Sequence, residues 1–112
     1  MNRTEHLLAC LAEEAAEVGM AVAKALRFGL DDGRTQDTTN ADDIARELNE
    51  LFAVAEMLEE CGALPKRGIL QDIGAKCERV AKWMEYAEQR GTLVPNAEVS
   101  RGAPTLAKTN DV

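Results

Sequence analysis

The chain has 112 residues, of which 46% are hydrophobic and 4% aromatic, and it carries a formal net charge of −7. This length predicts one domain with enough apolar residues for a core, and the excess of Ala, Leu, Val and Glu over aromatic residues favours an all-α fold. The acidic balance argues against a nucleic-acid partner, because binding to phosphate backbones requires clustered Lys and Arg, and it suits divalent cations better.

The first helix is predicted to begin near Asn2 or Thr4 and to end at Gly29. The stretch "NRTE" offers a capping box, which marks a helix start, and Gly29 suits the left-handed conformation that often follows a helix. The polar stretch "LDDGRTQDTTN" contains Gly33 and has no helical period, so it predicts a loop.

The second helix is predicted to follow a cap at Thr39 or Asn40 and to end at Gly62. Asp42 and Asp43 fall in its first turn, where the helix dipole favours negative charge.

The third helix, "LQDIGAKCERVAKWMEYAEQR", follows a connection that contains Pro65 and Gly68, and it ends at Gly91. Its apolar residues have helical spacing; they are Leu70, Ile73, Cys77, Val80, Ala81 and Met84. Residues 92–112 hold two prolines and no helical period, so they predict an extended or disordered tail. The predicted domain therefore covers residues 1–91.

The cysteines and the apolar runs indicate a cytoplasmic protein. Cys10, Cys61 and Cys77 form no CxxC or Cys/His group, and they are predicted to be small buried hydrophobic residues in a reducing compartment. No apolar run approaches the length of a membrane span, and the N-terminus lacks the apolar stretch of a signal peptide. Neither a membrane nor a nucleic-acid duplex is an expected partner.

Two glutamates on each of the first two helices lie on or beside the apolar face. On a helical wheel, Glu14 and Glu17 fall about 60° and 120° from the centre of that face in the first helix. Glu47 and Glu50 fall about 40° and 100° from it in the second. By contrast, the pair Glu56/Glu59 lies on the flank and far side of the second helix and is predicted to be solvated.

Carboxylates gathered on the inward flanks of packed helices repel one another and lose hydration, which raises their pKa values or requires a cation. A ligand set of oxygens alone favours Mg²⁺ or Mn²⁺ over zinc. A di-iron centre is excluded, because such centres use two Glu-x-x-His motifs and this chain has one histidine, His6. The alternative is a core edge where the glutamates reach solvent or pair with lysines.

The segments "EEAAEV" and "RELNELFAVAEML", separated by a polar loop, resemble the all-α nucleoside triphosphate pyrophosphohydrolases of the MazG-like family. That family carries Glu-x-x-Glu on one helix and Glu-x-x-Asp on the next. "KALRFGLDD" and "AKCERVAKWMEYAEQRGTL" are similar to the small phage-borne members, so the resemblance covers about residues 4–94. It implies that Glu14, Glu17, Glu47 and Glu50 bind the metal. Glu50 departs from the usual Asp by one methylene, and the interval between the pairs is long for the family.

The implied reaction is hydrolysis of a nucleoside triphosphate to the monophosphate and pyrophosphate with Mg²⁺, for which Mn²⁺ is a possible substitute. Bound Mg²⁺ bridges phosphate oxygens and activates water. Glu14, which has the most apolar surroundings on the first helix, is the predicted general base. The predicted substrate-binding cations are Lys24, Lys76 and Lys82, and Arg79 is a further candidate on the third helix; the alternative for each is a solvated surface residue. The only rings that could stack on a base are those of Phe28, Trp83 and Tyr86.

The second helix has a wider apolar arc than a three-helix monomer covers, with Phe52 and Cys61 at its margins. The predicted architecture is therefore an antiparallel bundle of three main helices, completed by homo-oligomerisation into a four-helix core, as a homodimer or a tetramer. The resemblance also implies dimers. The alternative function is a non-catalytic helical interaction or regulatory module that keeps the fold without turnover.

Overall fold

The computed structural model describes residues 1–68 and 70–95, and its helices are α1 (Arg3–Phe28), α2 (Asn40–Glu60) and α3 (Leu70–Arg90). No β-strand occurs in these two ranges, where a single β-bridge joins Thr35 to Thr38. The predicted all-α class is therefore confirmed. The chain divides into two compact units, Met1–Arg67 and Gly68–Val112.

Local capping fixes the helix starts where the sequence predicts them. The side chain of Asn2 accepts a hydrogen bond from the Glu5 backbone at 2.8 Å, and the Glu5 side chain accepts one from the Asn2 backbone at 2.9 Å. Thr39 rather than Asn40 caps α2, in a second reciprocal box with Asp42. Each box satisfies amide groups that a helix leaves without partners.

The helices also end at or near the glycines that the sequence predicted. Gly29 follows α1 with a φ of 103°, and Gly91 follows α3 with a φ of 82°. α2 ends at Glu60, two residues before Gly62, which has a φ of 82°. These positive φ values favour glycine, which has no Cβ to collide with the backbone.

Helices α1 and α2 pack together as an antiparallel hairpin. At one end, the Asn40 side chain donates to the Gly29 carbonyl oxygen at 2.8 Å. At the other end, His6 and Leu7 line a cavity together with Met57. The middle of α1 therefore lies beside the middle of α2, and these are the parts of the two helices that carry Glu14, Glu17, Glu47 and Glu50.

The core of this hairpin is small. Its buried apolar residues are Ala21, Ala25, Ala55 and Leu58. The alanines allow the helices to approach closely, and full burial of a leucine contributes about 1.5–3 kcal/mol. Several large apolar side chains of the same hairpin stay exposed, including Leu26, Phe28 and Phe52.

Helix α3 has no buried residue. The predicted apolar positions on it, including Ile73, Val80 and Met84, have helical spacing but are exposed. The prediction that the cysteines are buried is wrong for Cys61 and Cys77, which are exposed, while Cys10 is half-buried. Cys61 follows the last turn of α2, and Cys77 lies on α3.

Among the described residues, no helix is long and apolar enough to cross a membrane. The predicted tail lies outside the described residues from position 96 onward, and its boundary at residue 91 stays a prediction.

Candidate functional site

Three of the four predicted metal ligands meet between α1 and α2. Glu14, Glu47 and Glu50 each offer a carboxylate oxygen, and these oxygens lie within 4.8 Å of one another. Glu14 and Glu47 are half-buried, whereas Glu50 is exposed. This order follows the helical wheel, on which Glu14 and Glu47 lie closest to the apolar face. The hairpin thus gathers carboxylates from two helices at one point.

Two oxygens of this group are buried and have no hydrogen-bond partner among the described residues. They are Oε1 of Glu14 and Oε1 of Glu47. The other oxygen of Glu47 accepts a hydrogen bond from Arg46 at 3.2 Å. A buried carboxylate oxygen without a hydrogen-bond donor is energetically unfavourable. The described side chains therefore leave these two oxygens without a stabilising partner.

The electrostatics of Glu14 reflect the same deficit. Burial raises the pKa of Glu14 above its ordinary value of 4.5, and the negative charges of Glu50 and Glu47 raise it further. Both effects disfavour the ionised carboxylate. A cation among the three carboxylates would reverse them.

Glu59 shows how the same hairpin satisfies a carboxylate that needs no added cation. It was predicted to be solvated, but its side chain is only 12% exposed because Arg67 covers it. The backbone N–H and the Nε of Arg67 donate to one Glu59 oxygen at 2.9 and 2.8 Å. The backbone N–H is the main cause that lowers the pKa of Glu59. Glu14 has no arginine partner of this kind among the described residues.

The donor set of the three-carboxylate group fits a hard divalent cation. Its ligands are oxygens from two rigid helices, and the described part of the chain contributes no His or Cys to it. Mg²⁺ and Mn²⁺ prefer such ligands, and Mg²⁺ is typically held by a few carboxylates together with substrate phosphates. The two buried oxygens that have no partner among the described residues have lone pairs that a bound cation would use.

Glu17 is not brought into this group. Its side chain is exposed, and it lines a neighbouring cavity of about 160 Å³. The position agrees with its predicted place farther from the apolar face than Glu14. Its role as a ligand stays a prediction.

The neighbouring cavity combines predicted functional residues with charged residues that were not predicted to be functional. Its charged lining residues are Glu17, Lys24, Arg34, Asp43, Arg46 and Glu47. Of the substrate-binding predictions, Lys24 is the one that lines it. Arg34 comes from the loop between the helices and had no local signal in the sequence. Asp43 and Arg46 form an i, i+3 pair on α2, and this spacing is a signal that the sequence contains.

Asp43 is the central acceptor in this cavity. It is 6% exposed, and its Oδ1 lies 2.8 Å from Nη1 of Arg46 and 3.6 Å from Nη2 of Arg34. The hydrogen bond from Arg46 is the main cause that lowers the pKa of Asp43, and the charge of Arg34 lowers it further. The sequence predicted only that Asp43 lies in the first turn of α2, where the helix dipole favours its negative charge. Its ion pairs with two arginines were not predicted.

The other predicted binding residues lie on α3 and at the end of α1. Lys76 and Lys82 are exposed on α3, and their role stays a prediction. On the same helix, the rings of Trp83 and Tyr86 contact edge to face, with centroids 5.6 Å apart. Phe28 is exposed at the end of α1, where the Arg27 guanidinium lies 4.8 Å from its ring centroid.

No protein-family model, no curated protein and no solved structure matches this chain.

Proposed function

We propose that this protein is a Mg²⁺-dependent nucleoside triphosphate pyrophosphohydrolase, which cleaves a ribo- or deoxyribonucleoside triphosphate to the monophosphate and pyrophosphate. The observation that carries the proposal is the convergence of Glu14, Glu47 and Glu50, where two buried oxygens have no partner in the described part of the chain. The resemblance of the glutamate pairs to the MazG-like pattern supplies the reaction.

In this proposal Glu14, Glu47 and Glu50 hold the Mg²⁺, and Mn²⁺ can replace it. When bound, the cation neutralises charge on the phosphate oxygens and makes the attacking water more acidic. Glu17 stays a candidate for the fourth ligand of the family pattern. It ranks below the other three because its exposed side chain lines the neighbouring cavity.

Glu14 is the proposed general base. One of its oxygens is buried without a hydrogen-bond donor among the described residues, so a Glu14 oxygen that is not committed to the cation would be available to accept a proton. Glu14 would take a proton from the attacking water as the anhydride bond between the α- and β-phosphates breaks. Lys24, Lys76 and Lys82 are the proposed partners of the phosphate oxygens.

The proposal includes a homodimer or a tetramer in the cytoplasm. Exposed apolar side chains on all three helices support self-association, among them Leu26, Phe52 and Val80.

A pyrophosphate-release assay tests the proposed function. The full chain would be screened against the common ribo- and deoxyribonucleoside triphosphates with Mg²⁺ or Mn²⁺. Because Glu47 has a buried oxygen in the carboxylate group, we expect Glu47→Gln to lower turnover by about 100-fold or more. Circular dichroism would check that the variant stays helical.

Glu56→Gln is the matched control, because it removes the same charge from an exposed position on the same helix. It should keep nearly full activity. Most of the activity surviving in Glu47→Gln would remove Glu47 from the site. If the wild-type protein released no pyrophosphate from any triphosphate, the non-catalytic helical interaction module would become the better account.

A further inference from the structure

Three cationic side chains line one cavity beside the carboxylate group. Lys24 comes from α1, Arg34 from the loop and Arg46 from α2. Glu47, a member of the three-carboxylate group, also lines this cavity, which has a volume of about 160 Å³. The cavity is smaller than the roughly 300–1,000 Å³ of pockets for drug-sized ligands, so it suits a compact charged group.

The loop between α1 and α2 is built to hold Arg34 in place. The backbone of Asn40 donates to the Asp32 carbonyl oxygen at 2.6 Å, and the backbone of Ala41 donates to the Leu30 carbonyl oxygen at 3.0 Å. The buried side chain of Asn40 also bonds to the carbonyl oxygen before the loop. These bonds fold the loop onto the start of α2, which brings Arg34 beside Asp43.

Gly33 allows the loop to pass this closely. A Cβ at this position would meet the Thr38 carbonyl group, with the carbonyl carbon only 2.8 Å away. The residue just before Arg34 therefore has to be glycine for this loop path. The path places Arg34 at the cavity wall.

The two arginines keep donors available for a ligand. A guanidinium has five N–H donors. Arg46 directs one nitrogen to Asp43 and another to Glu47, which leaves donors on both nitrogens and on Nε. Arg34 makes one ion pair at 3.6 Å, and its side chain is 61% exposed. Guanidinium groups fixed by a buried carboxylate can bind phosphate oxygens with little loss of side-chain entropy.

The same cations reach a second cavity. Lys24 and Arg34 also line a space of about 210 Å³ whose other residues include Phe28 and Asp32. A ligand bound by these cations can therefore extend beyond one phosphate group. This favours a polyphosphate or a nucleotide over a single inorganic phosphate.

We propose that Lys24, Arg34 and Arg46 form the binding site for the phosphate chain of the substrate, and that Asp43 is the positioning residue that orients the two arginines. The identification of the ligand as a nucleoside triphosphate rests on the proposed function. The site is adjacent to the carboxylate group, and Glu47 belongs to both.

Calorimetric titration with sodium tripolyphosphate tests the site without requiring turnover. The full chain would be titrated in buffer free of divalent cations, so that the carboxylate group does not contribute through a metal. We expect Arg34→Gln and Arg46→Gln each to weaken binding about tenfold, which is typical for loss of a charge-assisted hydrogen bond. Arg27→Gln removes the same charge from the end of α1, outside the cavity lining, and should change binding less than twofold.

Equal affinities for Arg34→Gln and Arg27→Gln, or no tripolyphosphate binding by the wild-type protein, would overturn the inference. Arg34 is exposed in a loop, so its replacement should leave the helical circular dichroism unchanged.

The Asp43→Asn variant distinguishes two roles of Asp43, which are to orient the arginines and to repel anions by its charge. If Asp43 only repelled anions, its neutralisation would strengthen tripolyphosphate binding. If Asp43 is a positioning residue, its neutralisation should instead weaken binding, because Arg34 and Arg46 lose the negative charge with which both form ion pairs. Stronger binding in Asp43→Asn would remove the positioning role.

The two proposals can fail separately. Arginine-dependent tripolyphosphate binding without pyrophosphate release would keep the anion site and reject the hydrolase. Pyrophosphate release that is insensitive to Arg34→Gln, together with unchanged tripolyphosphate binding, would keep the hydrolase and reject the anion site.

Discussion

Carboxylates in the α1–α2 hairpin differ in whether an arginine satisfies them. Asp43 and Glu59 each accept hydrogen bonds from an arginine, and the pKa of each is lowered. Glu14 has a buried oxygen to which no residue in the described ranges donates a hydrogen bond, and the pKa of Glu14 is raised. Of these, only Glu14 belongs to the three-carboxylate group. The unsatisfied charge therefore coincides with the candidate cation site.

The raised pKa of Glu14 makes stability depend on pH. Because the folded protein holds this proton more tightly than the unfolded chain, ionisation of Glu14 favours unfolding. In metal-free buffer, the free energy of unfolding attributable to Glu14 should rise as the pH falls through its raised folded value toward 4.5. Glu14→Gln should therefore be more stable than the wild-type protein at neutral pH, with the difference shrinking on acidification. Urea denaturation at several pH values measures it.

Glu13→Gln provides the charge-matched control for this experiment, since Glu13 is the exposed neighbour of Glu14 on α1. Glu13→Gln should change the free energy of unfolding less than Glu14→Gln does, and this change should depend less on pH. A Glu14→Gln variant that is less stable than the wild-type protein at neutral pH would contradict the unsatisfied state of Glu14.

Helical periodicity was sufficient to predict the inward direction of Glu14 and Glu47, because that direction depends only on spacing within one helix. The ion pair between Arg34 and Asp43 could not be predicted in this way. It depends on the path of the loop, which is fixed by hydrogen bonds of Asn40 and by the close approach at Gly33. Such contacts are tertiary and leave no periodic signal.

At the scale of the elements, helix boundaries were predictable because caps are local. The boxes at Asn2 and Thr39 and the glycines at positions 29 and 91 act within a few residues of each helix end. The exposure of α3 was not predictable from its own pattern. Its apolar spacing shows that one face can pack, but not what covers that face.

Two glycines of the first unit should respond oppositely to substitution. At Gly33, a Cβ would collide with the Thr38 carbonyl group, so Gly33→Ala should reduce the free energy of unfolding by about 1–3 kcal/mol. At Gly19, inside α1, a Cβ would meet nothing within 4 Å. Gly19→Ala should therefore increase the free energy of unfolding by about 0.5–1 kcal/mol through helix propensity.

Urea denaturation of both alanine variants measures these changes. Gly33→Ala should also weaken tripolyphosphate binding, because it displaces Arg34. A Gly33→Ala variant as stable as the wild-type protein would show that the loop can take another path.

At the scale of the whole molecule, the exposed apolar surface is large for the size of the core. In the described residues of the second unit, α3 has no buried residue and exposes side chains such as Ile73, Val80 and Trp83. Extended apolar surface of this kind is typical of association sites. Self-association, which the wide apolar arc of the second helix also predicts, stays a prediction.

We expect the protein to sediment with at least twice the mass of the 12.2 kDa chain. Val80→Glu should shift it toward the monomer, because an unpaired charge in a buried interface is strongly unfavourable. Gln71→Glu adds the same charge at an exposed polar position of α3 and should leave the mass unchanged. A wild-type monomer at micromolar concentration would reject the oligomer.

The central claim is that Glu14, Glu47 and Glu50 together bind one hard divalent cation. Titration of the protein with Mn²⁺, monitored by the electron paramagnetic resonance signal of the free ion, tests it most directly. We predict that the wild-type protein removes this signal, that Mg²⁺ restores it, and that Glu14→Gln and Glu47→Gln weaken binding by about 10-fold or more, while Glu56→Gln does not. Equal Mn²⁺ binding by all four proteins, or none by the wild type, would contradict the claim.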